Sequence, residues 1–329
     1  MAPAPFRVRR LPGNPIIRPN MDDRMGANVQ GPSLIRVPDW VTNPLGRYYL
    51  YFADHKGSYI RLAVADHVEG PWRIHTQGAL PLDQSLYPTT PIAPPPDARL
   101  DAHRAGLAPP GTPDIPSLAE DATTPHIASP DVHVDQANRR IVMYFHGLSA
   151  WRVQQTRAAL SDDGVNFTAR PELFGPSYFR VFAHGGAHYA LVMPGILYRS
   201  ADGLAGFAKG PDVFGEPLQR HTALLKRGDT LHVFWTRVGD APEQILHSSI
   251  DLSGDWQGWR ATPPVPLLRP EEPWEGAGLP NERSYRGAIN RPVNQLRDPA
   301  IFQEDGRTWL LYAVQGEGGI AIAELTEIS

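Results

Sequence analysis

Acidic and imidazole side chains occur in this sequence at the ends of short apolar segments, where strands would bring them together. Asp54 and His55 follow the run Tyr-Tyr-Leu-Tyr-Phe-Ala, and His146 follows Ile-Val-Met-Tyr-Phe. Asp131 and Asp298 lie near the starts of two other apolar segments. A carboxyl group with a raised pKa, together with a second carboxylate or an imidazole, is the pair that general acid and base catalysis requires. The pattern therefore favours a catalytic site assembled from distant segments.

The composition excludes several other kinds of site. The 329 residues include no cysteine, so there is no disulfide, thiolate metal ligand or cysteine nucleophile. The net charge of -4 gives no general attraction to nucleic acid or to an anionic membrane, and neither is expected as a partner. No apolar run is long enough to span a membrane and no signal-like segment is present, so we expect a cytoplasmic protein.

One strand pattern recurs along the chain and predicts the fold. Its five copies cover residues 48–52, 141–145, 189–193, 232–236 and 309–313. Each copy follows another strand across a short turn, and four copies precede a third strand that leads to a polar turn and an aromatic residue. Four-stranded units of about 40 to 50 residues are typical of β-propeller blades. The sequence thus predicts an all-β fold, a five-bladed β-propeller with four-stranded antiparallel blades, as a single domain over residues 1–329.

Two long proline-rich insertions interrupt the predicted blades. The blades cover about residues 29–76, 127–170, 176–212, 219–262 and 296–328, and the insertions cover 79–127 and 263–295. About half of the 35 prolines fall in the insertions. Both insertions join an outer strand to the next inner strand, which places them on the face where inner strands begin. Loops of this length either cover a functional site or pack over the blade ends, and the sequence leaves both alternatives open.

The repeated units resemble the five-bladed propeller glycosidases, the group that includes glycoside hydrolase families 43, 32, 68, 117 and 130. The resemblance rests on Arg297-Asp298-Pro299-Ala300-Ile301-Phe302, Asp305-Gly306, Trp309-Leu310-Leu311-Tyr312, Glu69-Gly70-Pro71-Trp72 and Asn14-Pro15-Ile16-Ile17. It implies a carbohydrate substrate in a funnel at the propeller axis, where an acid and a base carboxylate often belong to Asp-Pro pairs that begin inner strands. It also implies that no cofactor is required, with a structural calcium ion at the axis as the alternative.

The sequence departs from this family pattern at the usual catalytic positions. Gly31 and Ser129 precede proline in the first two blades, and only the last blade keeps an aspartate there, Asp298. Asp131 is expected to replace Ser129, because side chains two residues apart on a strand share a face. Family 117 uses a histidine as its acid, which makes a funnel histidine a further candidate. The candidate catalytic residues are Asp131, Asp298, His146 and, as a base on the first blade, Asp54 or Asp23.

Polar residues at the starts of inner strands and at the ends of their partner strands should converge on the funnel. The candidate substrate-binding residues are Asn28, Gln30, His55, His126, Arg180, Arg220, His221, Arg237, Arg297, Glu317 and, as an aromatic that could stack on a sugar, Trp151. The four arginines would favour an anionic sugar or phosphate, or else they pair with nearby carboxylates. No metal site is expected, because the sequence contains no His-Glu-x-x-His motif.

These observations predict a glycoside hydrolase that acts on an oligosaccharide by acid and base catalysis. Two alternatives remain open, a phosphate-dependent glycoside phosphorylase and a carbohydrate-binding propeller without catalysis. The missing aspartates at Gly31 and Ser129 favour the second of these.

Overall fold

Short antiparallel strands build the body of the protein. The computed structural model describes residues 5–108, 110, 112 and 115–328. Its strands form five antiparallel sheets. Inner strands of neighbouring sheets contact one another, so the sheets are arranged as blades around an axis. This arrangement confirms the predicted five-bladed propeller.

The strands are numbered from the N-terminus, and each blade is given from its inner strand outward. The chain begins with β1 (Phe6–Arg10). Blade one contains β2 (Gln30–Arg36), β3 (Tyr48–Ala53), β4 (Tyr59–Ala65) and β5 (Arg73–Pro81). Blade two contains β6 (Ile127–Asp135), β7 (Arg140–Ala150) and β8 (Val153–Ser161), with the short strands β9 (Thr168–Ala169) and β10 (Gly175–Pro176) beside β8.

The remaining blades follow the same order. Blade three contains β11 (Arg180–His184), β12 (Ala187–Val192), β13 (Ile196–Ser200) and β14 (Ala208–Asp212). Blade four contains β15 (Gln219–Arg227), β16 (Thr230–Arg237), β17 (Ile245–Asp251) and β18 (Val265–Leu268). Blade five contains β19 (Arg297–Glu304), β20 (Arg307–Ala313), β21 (Ile320–Glu327) and, as its outer strand, β1.

The N-terminal strand closes the ring of blades. β1 pairs antiparallel with β21, and Phe6 lies opposite Glu327. The sequence pattern alone ends the last blade at three strands, because a strand from the far end of the chain leaves no local hairpin signal. The pattern also places β18 inside the second insertion, whereas the structure makes it the outer strand of blade four.

Large apolar side chains fill the interfaces between neighbouring blades. Five hydrophobic clusters each connect two adjacent blades. Trp235 and Trp309 are almost completely buried in two of them. Full burial of one large apolar side chain stabilises a fold by about 1.5–3 kcal/mol. The packed interfaces hold the strand ends rigidly around the axis.

Four inner strands begin with a β-bulge at the same position. The pairing register shifts at the start of β2, β6, β15 and β19. Residues with left-handed φ values occupy this position in every blade: Gly31 (65°), Ser129 (51°), Tyr178 (73°), His221 (52°) and Asp298 (47°). A bulge changes the direction of a side chain relative to its strand. The start of each inner strand therefore departs from simple alternation.

The two insertions meet over the face where inner strands begin. The first contains a 3₁₀ turn (Leu82–Gln84), α1 (Leu100–Leu107) and α2 (Leu118–Ala122), and the second contains a 3₁₀ turn (Pro273–Glu275). The backbone N–H of Arg286 donates to the carbonyl of Leu107 at 2.8 Å. Apolar side chains also join the insertions: Tyr285, Ile289, Val293, Ala108 and Ile115. None of the helices in the described part of the chain has the length and apolarity that crossing a membrane requires.

Candidate active site

A cavity of about 160 Å³ lies where the five blades meet. The blades contribute Gln30, His55, Ala128, Ser129, His146, Gln154, Ser177, Tyr178, Met193, Arg220, His221 and Asp298. The insertions contribute Leu107, Asp121, Arg286 and Gly287. Four of the five residues with left-handed φ values line this cavity, so the strand starts supply its central side chains. The insertions form part of its wall rather than only packing over the blade ends.

Asp298 is the carboxyl in this cavity best suited to proton transfer. Its Oδ1 accepts a hydrogen bond from the hydroxyl of Tyr178 at 2.5 Å and lies 3.7 Å from Nε2 of His221. Burial and repulsion from Glu317 raise the pKa of Asp298 to about 6, although the Tyr178 hydrogen bond opposes the change. A carboxyl with this pKa carries a transferable proton in mildly acidic to neutral solution.

Two imidazoles in the same cavity are held neutral. Burial and the charge of His55 lower the pKa of His146 to about 3. Burial and the charge of Arg220 lower the pKa of His221 well below its usual range. His221 Nδ1 lies 2.9 Å from the hydroxyl of Thr236, while His146 Nδ1 is buried without a hydrogen-bond partner in the structure. Neutral imidazoles of this kind can donate to or accept from sugar hydroxyls.

His55 forms a carboxylate–imidazole pair with Glu317. Oε1 of Glu317 lies 3.1 Å from His55 Nδ1 and accepts from Arg297 Nη1 at 2.9 Å, and its Oε2 accepts from Asn28 at 2.6 Å. Burial opposes ionisation of Glu317, but His55, Arg297 and Asn28 together lower its pKa to about 2. The ionised carboxylate fixes the proton of His55 on Nδ1 and leaves Nε2 for the cavity.

A second buried carboxylate, Glu243, extends this charged network. Both of its oxygens accept from Arg220, with Nε at 2.9 Å from Oε1. Arg297 Nε lies 3.6 Å from the other oxygen. Burial opposes ionisation, but Arg220 and Arg297 lower the pKa of Glu243. Glu317, Arg297, Glu243 and Arg220 thus alternate in charge behind the cavity and hold one another in place.

Sequence reasoning missed Tyr178 and Glu243. Glu243 lies in the loop between β16 and β17, the same position in its blade as Glu317 between β20 and β21. A search of every such loop for acidic residues would have included it. Tyr178 has the left-handed conformation of the other strand starts, but no proline follows it to mark the position.

The sequence-predicted residues fall into three groups. Those that line the cavity are Gln30, His55, His146, Arg220, His221 and Asp298. Those that are buried around it without lining it are Asn28, His126, Arg297 and Glu317. Those that do not line the cavity and have other surroundings are Asp131, Asp54, Asp23, Trp151, Arg180 and Arg237.

Asp131 lies in a separate small cavity rather than beside Ser129. Its Oδ2 accepts hydrogen bonds from His133 Nε2 and from the backbone N–H of Val181, both at 2.8 Å. The bulge between Ala128 and Asp131 breaks the two-residue alternation on which the prediction relied. The expectation that Asp131 replaces the family aspartate at Ser129 is therefore wrong.

Asp54, Asp23 and Trp151 also lie outside the cavity. Asp54 Oδ1 accepts from the backbone N–H of Lys56 at 2.9 Å and its Oδ2 is 3.2 Å from a guanidinium nitrogen of Arg61, so this carboxylate fixes a turn. Asp23 is exposed in the segment before β2, and Trp151 is half-buried in the turn between β7 and β8. Blade one contributes His55 to the cavity instead of a carboxylate.

Two of the four predicted anion-binding arginines do not line the cavity, although Arg180 contacts residues that do. Arg237 Nε donates to Asp240 at 2.9 Å. Arg180 Nε donates to the carbonyl of Thr222 at 3.0 Å, and its guanidinium lies 4.2 Å from the ring centre of Tyr178. The other two, Arg220 and Arg297, are paired with the buried glutamates. Three of the four arginines, Arg220, Arg237 and Arg297, therefore pair with carboxylates, as the second alternative expected.

The residues at the axis do not fit a calcium ion. Calcium takes six to eight oxygen ligands, several of them carboxylates. The cavity beside Asp131 contains the guanidinium of Arg180, and Asp131 already binds His133. Across the described residues, no three or more histidine, aspartate or glutamate side chains are arranged to hold a metal ion.

Solved structures with the same fold include several glycoside hydrolases. A glycosyl hydrolase from Bacteroides ovatus has a TM-score of 0.60 at 11% identity, covering 98% of this chain and 94% of that one. An α-L-arabinofuranosidase from Lactobacillus brevis has a TM-score of 0.52 at 11% identity, covering 95% and 92%. A structure from the GH130 family of mannoside phosphorylases has a TM-score of 0.61 at 11% identity, covering 98% of this chain and 95% of that one. That family contains glycoside hydrolases that target β-1,2 mannosidic linkages in Candida mannan. These likenesses establish the fold.

One sequence relative is similar enough to define a family. No protein-family model matches the chain. The uncharacterized protein R118 of Acanthamoeba polyphaga mimivirus is 37% identical over 350 aligned positions, which cover 97% of this chain and 90% of that protein. An identity of this size over nearly the whole of both chains is the mark of common descent. The chain belongs to the family of the mimivirus protein R118.

Proposed function

We propose that this protein cleaves a glycosidic bond of a carbohydrate bound in the central cavity, with Asp298 as the general acid. The observation that carries the proposal is a buried carboxyl with a pKa of about 6 that lines the cavity beside Tyr178 and His221. A glycosidic acid needs a raised pKa of this kind, so that it holds a proton for the leaving oxygen. The fold, which solved glycoside hydrolases share, also supports cleavage of a glycosidic bond.

His55 is the base in this proposal, and Glu317 orients it. Glu317 stays ionised because its pKa is about 2, and it accepts from Nδ1 of the imidazole. A carboxylate in this position holds the ring and keeps the proton on Nδ1, so Nε2 is the nitrogen free to accept a proton. His55 lines the same cavity as Asp298, and its protonated form, the product of the proposed proton transfer, lowers the pKa of Asp298. The two groups therefore belong to one site.

The proposed reaction is a single displacement by water. Asp298 gives its proton to the glycosidic oxygen as the bond from that oxygen to the anomeric carbon breaks. Water attacks the anomeric carbon and gives a proton to Nε2 of His55. The products are a free sugar and an alcohol or shortened glycan, and exchange with solvent restores both side chains. A single displacement inverts the configuration at the anomeric carbon.

The neutral side chains around Asp298 suit a sugar ligand. His146 and His221 are uncharged, and the Nδ1 atom of His146 is buried without a partner. The hydroxyl of Ser177 and the amide of Gln154 line the same cavity. Sugar hydroxyls both donate and accept hydrogen bonds, so they can satisfy groups of each kind.

Turnover of an oligosaccharide panel tests this proposal. Product formation is measured in phosphate-free buffer with wild type and with Asp298→Asn, and Asp229→Asn is the matched control because Asp229 is exposed in a distant hairpin turn. We expect cleavage by wild type and Asp229→Asn and a loss of about 100-fold or more in Asp298→Asn. Turnover only with added phosphate would assign a phosphorylase. Binding without turnover would assign a carbohydrate-binding protein.

A further inference from the structure

Arg286 is a cation in the cavity wall, and no carboxylate of the described residues forms an ion pair with it. It belongs to the second insertion and lines the same cavity as Asp298. One guanidinium nitrogen donates to the backbone carbonyl of Pro217. Burial and repulsion from Arg220 lower the pKa of Arg286 to about 10, and Glu243 only partly opposes this. The group therefore stays charged at neutral pH.

The other charges around the cavity already have partners. Glu243 is held by both Arg220 contacts, so it is not free to bind Arg286. Asp121 Oδ1 lies 3.6 Å from the ammonium of Lys56. Asp298 is hydrogen-bonded to Tyr178. Among the charged residues that line this cavity in the described part of the chain, Arg286 is the one without a carboxylate partner.

A charged guanidinium without a carboxylate partner is well suited to bind an oxyanion. It carries five N–H donors in a planar fork, and the structure shows one of its nitrogens engaged with Pro217. Carboxylates, sulfates and phosphates match the remaining donors in bidentate geometry. Leaving a partly buried charge without such a partner costs free energy, which a bound anion recovers.

We propose that Arg286 binds the carboxylate of an acidic sugar whose glycosidic bond lies at Asp298. This inference rests on the proposed function and adds the substrate class, a uronic acid glycoside. Arg286 and Asp298 line one cavity, so one ligand in that cavity can contact both residues. In a uronic acid, the ring carbon that carries the carboxylate and the anomeric carbon are the two neighbours of the ring oxygen. One sugar residue therefore carries both the anion and the bond to be broken.

Equilibrium binding separates this inference from the proposed catalysis. Glucuronate, galacturonate and mannuronate are titrated at pH 7 against wild type, with glucose, galactose, mannose and inorganic phosphate as comparison ligands. We expect at least one uronate to bind about tenfold more tightly than its neutral parent sugar, as a charge-assisted bidentate contact allows. The preference should disappear in Arg286→Gln and persist in Arg283→Gln, which changes an exposed arginine of the same insertion.

The fold should survive the substitution at Arg286. The contact between this residue and α1 uses its backbone N–H, which glutamine retains. Thermal unfolding of Arg286→Gln is measured beside the titration, and Arg286→Lys provides a second variant that keeps the charge but loses the fork.

Three outcomes would overturn the inference. They are equal binding of uronates and neutral sugars, a uronate preference that survives Arg286→Gln, and binding of inorganic phosphate without binding of any uronate. The last would assign a free oxyanion as the ligand of Arg286. If a neutral glycoside is turned over while uronates show no preference, the inference fails and the proposed function stands. If uronates bind as expected and no glycoside is cleaved, the proposed function fails instead.

Discussion

The hydroxyl of Tyr178 donates a 2.5 Å hydrogen bond to Asp298, although 120 positions separate the two residues in the sequence. Each has a left-handed backbone and lies at the start of the inner strand in its blade, Tyr178 just before β11 and Asp298 within β19. The blades thus bring a phenol and a carboxyl with a pKa of about 6 into contact at the cavity. Burial and Glu317 raise the pKa of Asp298, and this contact opposes the rise.

Tyr178→Phe should move the pH dependence of catalysis. If Asp298 acts as a protonated acid, kcat/KM in wild type falls as pH rises above about 6. The Tyr178 hydrogen bond stabilises the ionised carboxylate, so its removal raises the pKa of Asp298 further. We expect the alkaline limb of the kcat/KM profile to move up by about one pH unit. An unchanged limb, or one that moves to lower pH, would contradict this role of Tyr178.

Asp298→Asn should stabilise the fold at alkaline pH while it abolishes activity. The folded pKa of about 6 lies above the usual unfolded value of about 3.9. The contribution of Asp298 to stability is therefore fully present below pH 3.9 and is lost as pH rises through about 6. Asparagine never ionises and tolerates the left-handed backbone. From pH 5 to pH 8 the variant should gain about 1 kcal/mol in unfolding free energy relative to wild type.

Urea denaturation of both proteins at the two pH values measures this gain. Asp229→Asn serves as the control and should show no such dependence on pH, because Asp229 is exposed. A variant that loses stability relative to wild type as pH rises would show that Asp298 is ionised without cost in the native protein.

Glu317→Gln should destabilise the protein at neutral pH. The pKa of Glu317 is about 2, so its stabilising contribution is present above the unfolded pKa of about 4.3 and is lost as pH falls through about 2. Removal of this charge leaves the fully buried Arg297 with only the more distant Glu243. Breaking one partner of a buried pair costs about 3–5 kcal/mol. Urea unfolding at pH 7 checks this, with the exposed Glu69→Gln as control; a loss below about 1 kcal/mol would be too small for the pairing described.

His55→Gln should reduce turnover without a comparable loss of stability. The imidazole side chain is partly exposed to the cavity, and as a base it would contribute about 100-fold or more to kcat. His67→Gln is the control, because His67 is exposed at a turn of blade one. The two variants are compared in kcat on a cleaved substrate and in thermal unfolding. Equal kcat in both would remove His55 from the reaction.

Much of the fold was predictable because its repeats are local. The second strand of each blade is apolar on both faces and follows a hairpin, and both signals lie within one short segment, as in β20. The closing strand β1 was not predictable, because its partner β21 lies at the opposite end of the chain. Its short charged sequence also lacks the apolar pattern of the central strands.

The sequence predicted several residues of the site correctly but did not predict how they are arranged. Asp298, His55 and His146 were found from their positions at strand ends, and all three line the cavity. The wrong expectation for Asp131 came from applying two-residue alternation across a bulge that the sequence does not display. The free charge of Arg286 could not be recognised either, since it depends on which carboxylates the other arginines bind.

A crystal structure of Asp298→Asn with a cleavable glycan tests the account most directly. We expect the glycosidic oxygen within about 2.6–3.2 Å of the side chain at position 298, with a water molecule between the anomeric carbon and Nε2 of His55. Tyr178 should keep its contact with position 298. A glycan bound outside the central cavity, or one whose glycosidic oxygen lies far from position 298, would contradict the assignment of Asp298 as the acid.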